Sequence, residues 1–241
     1  TASRIFAVSL PTVARSLDTT IVGISWAVIS FQISTISLSL VFGRIGDIYG
    51  REKIFGLGFL VSAIGASLCG LSQNVFQLIT FRFFQGIGAS MTQSQARALA
   101  MDSMPKESAG KAQGFMTTAF HTGVLVGPSA GGLIIDYVHW RAIFFFLLPI
   151  ALAGMTLTLL NLKRGNRSGA FTPANTQAAI DYLGAILLVL ATVSLIIIID
   201  HRIIEIVGTK LWIGIIVLFA ALLFGFLYRE WTTASPILDL G

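Results

Sequence analysis

The sequence predicts an all-α polytopic membrane protein. The chain has 241 residues, of which 55% are hydrophobic and 11% are charged, and its mean hydropathy is +0.84. Soluble domains carry about 25% charged residues, so this composition excludes a water-soluble globule. The apolar runs are long, continuous and rich in Leu, Ile, Ala and Gly, whereas a transmembrane β-barrel shows alternating segments of about ten residues. The predicted membrane spans are therefore helices, which satisfy their own backbone hydrogen bonds in lipid.

Turn residues and charges divide the chain into eight apolar runs. A spanning helix needs about 20 apolar residues, and seven of the runs approach that length. The first run is too short, and with the opening Thr1 it predicts a truncated first helix in a fragment of a longer protein. A signal peptide is the weaker alternative, because it would carry a basic region and a full apolar core. The predicted helices lie at residues 1–14 (partial), 22–43, 54–72, 75–98, 112–135, 141–162, 180–199 and 211–228.

The orientation in the membrane follows from the segment 43–53, which carries five ionisable groups in eleven residues between flanks without charge. It predicts a tight hairpin loop, and its excess of Arg and Lys indicates the cytoplasmic side. Alternation then places the loops 99–111 and 163–179 and the segment 229–241 on the same side. Ten basic residues lie on that side or at its helix ends, against four on the other, namely Arg15, Arg141, Arg202 and Lys210. This bias agrees with the positive-inside rule.

Several classes of function are excluded by what the chain contains. Cys69 is the single cysteine, so neither an intrachain disulfide nor a cysteine-rich metal site can form. No span or loop brings together a nucleophile and a base, paired carboxylates or metal ligands, so the chain is not expected to be an enzyme or to hold a metal. The net charge of +5 is spread over helix ends, which predicts contact with the lipid bilayer and not with nucleic acid.

Arg82 stands inside the fourth predicted span, about 10 Å from the span's start at 1.5 Å per residue. A charge at this depth costs at least ~2.5 kcal/mol, so Arg82 is expected to face the bundle interior or an aqueous cavity and to have a function. The alternative is a long side chain that reaches back to the interface. Gln85 lies three residues on, on the same helix face, and can share hydrogen bonds. Gly86 and Gly88 allow a neighbouring helix to approach.

The fifth predicted span carries a stripe of small residues. Gly123, Gly127 and Gly131 recur every four residues, with Pro128 and Gly132 on the same seam. Such a stripe lets helices pack closely, and proline adds a local kink. Close packing alone can explain the stripe, so the spacing does not decide whether the fifth span also contains a functional hinge. His121 lies in the same span, and two alternatives stand level: a titrating functional group or a neutral side chain bonded to a neighbouring helix.

Two further expectations concern the membrane surface. In the segment 43–53, Asp47 and Arg51 are four residues apart and can form a salt bridge, and Gly43, Gly46 and Gly50 allow the backbone to turn tightly. Three tryptophans, at positions 140, 212 and 231, fall near the predicted interfaces. They are expected to act as an aromatic belt.

Taken together, three motifs resemble those of the major facilitator superfamily of secondary transporters. The segment 43–53 is similar to the family's signature loop between its second and third helices. Residues 82–88 resemble its fourth-helix motif, and Gly123 with residues 127–132 resembles its fifth-helix antiporter motif. The three occur in the correct order on the expected helices, so the set is far more specific than any one motif. The resemblance covers essentially the whole chain.

Within that superfamily, the chain is similar to the fourteen-helix drug:proton antiporters. The similarity is carried by residues 10–13 with Trp26, by Trp140-Arg141, by the start 181–184 of the seventh span, and by residues 235–240. It implies a six-helix N-terminal bundle at 1–162 with a truncated first helix, a cytoplasmic loop at 163–179, two additional linker helices at 180–228, and the start of a connection at 229–241. A C-terminal half of the same transporter is the expected missing partner.

The first helix departs from the family pattern. Aligned through Pro11, the pattern has an acidic residue, a threonine and an asparagine where this chain has Ala2, Arg4 and Ala7. The acid that the family uses for protons or cations is therefore absent from this position. Asp18 follows a similar local pattern, but it lies in a predicted loop, and we assign it no proton-carrying role.

The resemblance implies an exporter of drugs or other small hydrophobic or cationic compounds in the cytoplasmic membrane. It would work by alternating access, with protons as the coupling ion, the proton gradient as its energy source and no cofactor. In that scheme Arg82 and Gln85 serve transport and coupling, and His121 lines the path. The glycines and Pro128 of the fifth span form the packing and hinge element, while Gly43, Asp47, Gly50 and Arg51 form a conformational latch against the opposite half. The alternatives are a non-transporting or incomplete membrane subunit and a proton-coupled metabolite transporter.

Overall fold

Long apolar runs favour helices, and the computed structural model consists of them. It describes residue 6 and residues 9–102, 109–165, 181–199 and 208–232. Each of the eight predicted helices overlaps a helix within these ranges, and six of the observed helices are longer than the apolar runs because charged and polar residues extend their ends. Of the predicted first helix, 1–14, residues 1–5 and 7–8 lie outside the described ranges. The helices are α1 Leu10–Ser16, α2 Ile21–Tyr49, α3 Arg51–Leu71, α4 Val75–Asp102, α5 Ala109–Tyr137, α6 Ala142–Gly165, α7 Tyr182–Ile199 and α8 Thr209–Thr232.

By length and composition, five of the described helices can cross a membrane: α2, α3, α5, α6 and α8. In α4, Arg82 and a polar C-terminal half lower the hydropathy, and the described apolar part of α7, Leu183–Ile199, is short. Both helices nevertheless lie beside spanning helices, because α4 packs against α2 and α3, and α7 packs against α8 and α2. The prediction of an all-α polytopic membrane protein is confirmed.

The hairpin loop predicted over residues 43–53 is wrong. Helix α2 continues to Tyr49 and α3 begins at Arg51, so Gly50 alone breaks the helix. Its φ of 104° and ψ of 119° are values that residues with a Cβ rarely adopt. Its N–H donates to the carbonyl of Gly46 at 2.8 Å and caps α2. The other glycines of the segment remain helical, because each costs a helix only about 1 kcal/mol.

The other predicted loops are also shortened by their neighbouring helices. Residues 99–102 belong to α4 and residues 109–111 to α5; residues 163–165 belong to α6, and residues 229–232 belong to α8. The rest of the predicted segments 99–111, 163–179 and 229–241 lies outside the described ranges. Helix ends that reach beyond the hydrocarbon region keep their backbone bonded while their side chains meet water, so the apolar runs underestimate the helices.

Helix α4 is the centre of the bundle, and glycines bring it close to its neighbours. A Cβ added at Gly65 of α3 would lie 2.6 Å from the Cα of Gln85, and one added at Gly88 would lie 2.7 Å from the carbonyl oxygen of Gly58. On the other side, Thr35 of α2 donates to the carbonyl of Gly86 at 3.3 Å. The close approach predicted for Gly86 and Gly88 is confirmed. These contacts leave no room for side chains between the backbones.

Trp140 does not act as an interfacial anchor, so that prediction is wrong. Its side chain is 1% exposed and belongs to the hydrophobic core with Phe6 and Phe144. The indole Nε1 donates to the hydroxyl of Ser16 at 2.9 Å, which satisfies the one polar atom that burial would otherwise leave unpaired. Trp231, in contrast, is 78% exposed, as an aromatic belt residue would be.

An ion pair closes the hairpin of α7 and α8. Asp181 precedes α7 and accepts from the backbone N–H of Gly184 at 3.0 Å, while Nε of Arg229 lies 2.9 Å from both of its carboxylate oxygens. Burial alone would raise the pKa of Asp181, but these hydrogen bonds and the guanidinium charge outweigh it, so the pKa is lowered below its usual value. The pair joins the start of α7 to the end of α8.

This lowered pKa predicts a pH-dependent contribution to stability. A carboxyl group whose pKa is lower in the folded state stabilises that state above its unfolded pKa of about 3.9 and loses the contribution as the pH falls through the folded value. Thermal unfolding of the purified protein is therefore expected to show a destabilisation below about pH 4 that is smaller in Asp181→Asn. Asp18→Asn, at an exposed turn, is the control. Equal acid destabilisation of wild type and Asp181→Asn would contradict the prediction.

Candidate functional site

Arg82 lies inside the bundle and is 0% exposed. Its Nε donates to the carbonyl of Ala27 in α2 at 3.3 Å, and its Nη1 donates to Oε1 of Gln85 at 3.1 Å. Nη2 is buried and has no hydrogen-bond partner among the residues that the structure describes. The alternative of a side chain that reaches back to the interface is therefore wrong. Arg82 is a buried cation with one free donor group.

Aromatic rings surround the guanidinium group of Arg82. Its central carbon lies 4.6 Å from the ring centroids of Phe6 and Phe31 and 5.7 Å from that of Phe144. At these distances the electron-rich ring faces attract a cation and repay part of its lost hydration. The rings come from three separate segments of the chain, so no spacing in the sequence associates them with Arg82.

Gln85 connects Arg82 to a small cavity. Besides accepting from Arg82, its Oε1 lies 3.9 Å from Sγ of Cys69. The side chain lines a cavity of about 160 Å³ that is mostly apolar, with Ser62 and Thr92 among its polar lining residues. The predicted pairing of Gln85 with Arg82 is thus present in the structure. Cys69 is buried, as a small core residue would be.

Two larger cavities open at the end of the bundle that the charge bias assigns to the cytoplasm. One, of about 440 Å³, lies between α2 and α4 and is lined by Arg44 and Asp47. The other, of about 570 Å³, lies between α4 and α5 and is lined by His121. Gln93 and Arg97 line both cavities. His121 is exposed to the second cavity.

Gln93 and Arg97 are not among the site residues predicted from the sequence. The signal available was their spacing: residues four apart on a helix lie on the same face, and these two form a polar pair beyond the apolar part of α4. Only the arrangement of α2, α4 and α5 shows that this face borders two cavities. The wide gap beside α5 exists because α5 packs only loosely against its neighbours in the described part of the chain.

The predicted latch residues lie around the break between α2 and α3. Gly43 and Asp47 belong to α2, Gly50 forms the break, and Arg51 begins α3. Nε of Arg51 donates to Oδ1 of Asp47 at 2.8 Å, and the two side chains are 37% and 39% exposed. The predicted salt bridge therefore forms and spans the break at Gly50. A Cβ at Gly43 would meet nothing within 4 Å, so close packing in this chain does not explain that glycine.

The small-residue stripe of α5 is only partly covered. Gly127 and Gly131 are buried, and Gly123 and Pro128 are half-buried, while a Cβ at Gly132 would meet nothing within 4 Å. The helix continues through Pro128 without interruption. The hinge and packing roles of the stripe remain predictions. In the parts of the chain that are described, no group of three His, Cys, Asp or Glu side chains could hold a metal ion.

The comparisons with known proteins agree with this architecture. A family model described as Major Facilitator Superfamily matches residues 1–240. An uncharacterized MFS-type transporter of Mycobacterium tuberculosis is 33% identical over 78% of this chain and 26% of its own length. Multidrug resistance protein 3 of Bacillus subtilis is 28% identical over 89% of this chain and 41% of its own. Riboflavin transporter RibZ of Clostridioides difficile is 30% identical over 64% and 34%. The matches thus span between 26% and 41% of the length of these relatives.

Proposed function

The chain belongs to the major facilitator superfamily, and from this premise we propose that it is the N-terminal half, with two linker helices, of a proton-coupled exporter of small organic compounds. The members of this superfamily are membrane transporters and not enzymes. The proposed membrane is the cytoplasmic one, with residues 43–53, 99–111 and 163–179 on its cytoplasmic side. A C-terminal half would supply the opposite wall of the substrate path, because transporters of this kind bind substrate at the bilayer midplane between two halves. The likeness to a multidrug resistance protein supports export.

The buried guanidinium of Arg82 carries the proposal. A cation within a membrane bundle is costly and is retained where it serves transport. Arg82 has two neutral acceptors, three ring faces and a free Nη2, and no carboxylate is bonded to it within the described residues. We propose that this free donor engages a proton-dependent or substrate-borne group during the cycle. Gln85 would hold the guanidinium in orientation for that contact.

The latch is the second element of the proposal. We propose that Asp47 and Arg51, exposed at the helix break, contact the opposite half in one conformational state and so set the balance between the two states. Asp47→Asn is expected to change the free energy of unfolding by less than about 1 kcal/mol, because the ion pair is over one-third exposed. Transport is expected to fall by about tenfold, within the usual range of conformational coupling. Transport rate and thermal unfolding are measured on the same preparation.

Glu52→Gln is the matched control for the latch. Like Asp47→Asn, this substitution removes one negative charge near Arg51, but it leaves the ion pair of Asp47 and Arg51 intact. It is expected to keep near wild-type transport. If Asp47→Asn transports normally, or if both variants lose transport equally, the proposed latch is wrong.

Transport in inverted membrane vesicles that contain the full-length protein tests the function. An imposed pH gradient is expected to drive accumulation of at least one member of a set of anionic, cationic and neutral dyes, and a protonophore is expected to abolish it. If none of the dyes responds to the gradient while the protein is folded in the membrane, the proposed export is wrong. That result would favour a non-transporting membrane subunit.

A second candidate function is proton-coupled transport of a metabolite. The similarity to a riboflavin transporter favours it. The two candidates share the fold, the buried Arg82 and the latch, and they differ in cargo and direction. Riboflavin uptake by right-side-out vesicles, with no dye export by inverted ones, would favour the metabolite transporter over the exporter.

A further inference from the structure

Gln93 and Arg97 line both of the larger cavities, and the two cavities are together named the vestibule. The cavity of about 440 Å³ lies on one side of these residues and the cavity of about 570 Å³ lies on the other. The polar side chains that line the two cavities include those of Arg44, Asp47, Gln93, Arg97, Thr117 and His121. Each of the two cavities is by itself large enough for a small organic molecule.

The vestibule extends from the helix ends to the middle of the bundle. Arg97 lies five residues before the end of α4, about 8 Å along the axis, and His121 lies twelve residues after the start of α5, about 18 Å along it. Between them, Gln93 and Thr117 supply hydrogen-bonding groups and Phe120 supplies an apolar surface. A molecule that enters at the predicted cytoplasmic end therefore meets polar groups before it reaches the centre.

The charges that line the vestibule are predominantly positive. Arg97 is exposed and has no ion pair or hydrogen bond in the part of the chain that is described, and Nε of Arg44 is buried without a hydrogen-bond partner there. Among the described residues that line the two cavities, Asp47 is the one with an acidic side chain, and it already accepts from Arg51 at 2.8 Å. Two guanidinium groups thus face this space, and the one carboxylate among its described lining residues is paired with Arg51.

We propose that the vestibule binds an organic anion, with a carboxylate, sulfonate or phosphate group held by Arg97 and assisted by Arg44. A guanidinium group offers paired N–H donors that match the oxygens of such a group. The inference rests on the proposed transport function and names its cargo as anionic. It names an anionic cargo where the family resemblance implies drugs or other small hydrophobic or cationic compounds, because a cation would meet the two guanidinium groups of Arg44 and Arg97 in this space.

Dye binding to the full-length protein in phosphatidylcholine nanodiscs tests the inference. Carboxyfluorescein, an anion, and ethidium, a cation, are titrated separately and followed by fluorescence anisotropy without a pH gradient. The wild type is expected to bind carboxyfluorescein more tightly than ethidium. Arg97→Gln is expected to weaken carboxyfluorescein binding by at least about tenfold, ~1.4 kcal/mol, and Arg97→Lys is expected to recover part of it. Arg15→Gln removes an exposed charge outside the vestibule and is expected to leave binding unchanged.

The inference is overturned if the wild type prefers ethidium or if Arg97→Gln binds carboxyfluorescein as tightly as the wild type. It is also overturned if phosphatidylglycerol in the nanodisc abolishes dye binding and Arg97→Gln loses co-purified phosphatidylglycerol, because the vestibule would then hold a lipid headgroup. Vesicle transport separates the two proposals. Gradient-driven export of ethidium with no carboxyfluorescein binding contradicts this inference alone, whereas carboxyfluorescein binding with no transport of any dye contradicts the proposed function alone.

Discussion

Replacing Arg82 with methionine is expected to lower gradient-driven transport by about 100-fold, ~2.8 kcal/mol, while the melting temperature stays the same or rises. The loss of transport follows because methionine cannot make the charged hydrogen bonds of the guanidinium, each worth about 1.5–3 kcal/mol. The stability is kept because an apolar side chain of similar length fills the space between Phe6, Phe31 and Phe144 without the cost of a buried charge. The measurements are dye transport in vesicles and thermal unfolding of the purified protein.

Arg82→Lys and Arg15→Met complete the experiment. Lysine keeps the charge but cannot donate in the directions of both Ala27 and Gln85 as a planar guanidinium does, so intermediate transport is expected. Arg15→Met removes a cation from an exposed site and is expected to transport normally. If Arg82→Met melts far below the wild type, or transports as well as it does, Arg82 serves the fold and not the transport cycle.

Gly65→Ala is expected to lower the free energy of unfolding by about 3 kcal/mol, a drop of roughly 6–12 °C in melting temperature. The added Cβ would lie 2.6 Å from the Cα and 2.9 Å from the backbone nitrogen of Gln85. Backbone atoms cannot rotate away as a side chain does, so α3 and α4 must move apart. The measurement is thermal unfolding of the purified protein at constant detergent concentration.

Gly214→Ala is the matched control, because a Cβ at Gly214 of α8 would meet nothing within 4 Å. Alanine favours a helix over glycine by about 0.5–1 kcal/mol, so this variant is expected to be at least as stable as the wild type. Similar melting temperatures for Gly65→Ala and Gly214→Ala would show that the contact between α3 and α4 is looser than the structure indicates.

The positions of the helices were predicted more accurately from the sequence than their ends. The apolar runs located each helix that the structure describes, because a membrane span must satisfy its backbone bonds internally and cover itself with apolar side chains. The predicted helix ends were wrong where a helix continues beyond its apolar run into charged and polar residues. The segment 43–53 was predicted to be a loop from its charges and glycines, yet only Gly50 leaves the helix. Charge marks the membrane surface but does not by itself end a helix.

The buried charge of the candidate site, Arg82, could be predicted from the sequence, but the side chains that surround it could not. Arg82 stands out in the sequence because a charge in an apolar span must be explained, and Gln85 follows from the helical spacing. The rings of Phe6, Phe31 and Phe144 could not be assigned, since phenylalanine is common in spans and gives no indication of what its ring faces. Trp140 shows the same difficulty: its position favoured an interface, but Ser16 and the core hold it inside.

The class of protein, the order of the helices that the structure describes, and the residue whose burial demands a function were all predictable from the sequence. These depend on composition, run length and spacing along one chain, which the bilayer constrains strongly. The packing of the helices, in contrast, sets which side chains surround Arg82, places Gly65 and Gly88 against backbone atoms, and brings Arg44 and Arg97 to the border of the vestibule. Such contacts join residues from different helices, and their distances are set by how those helices pack.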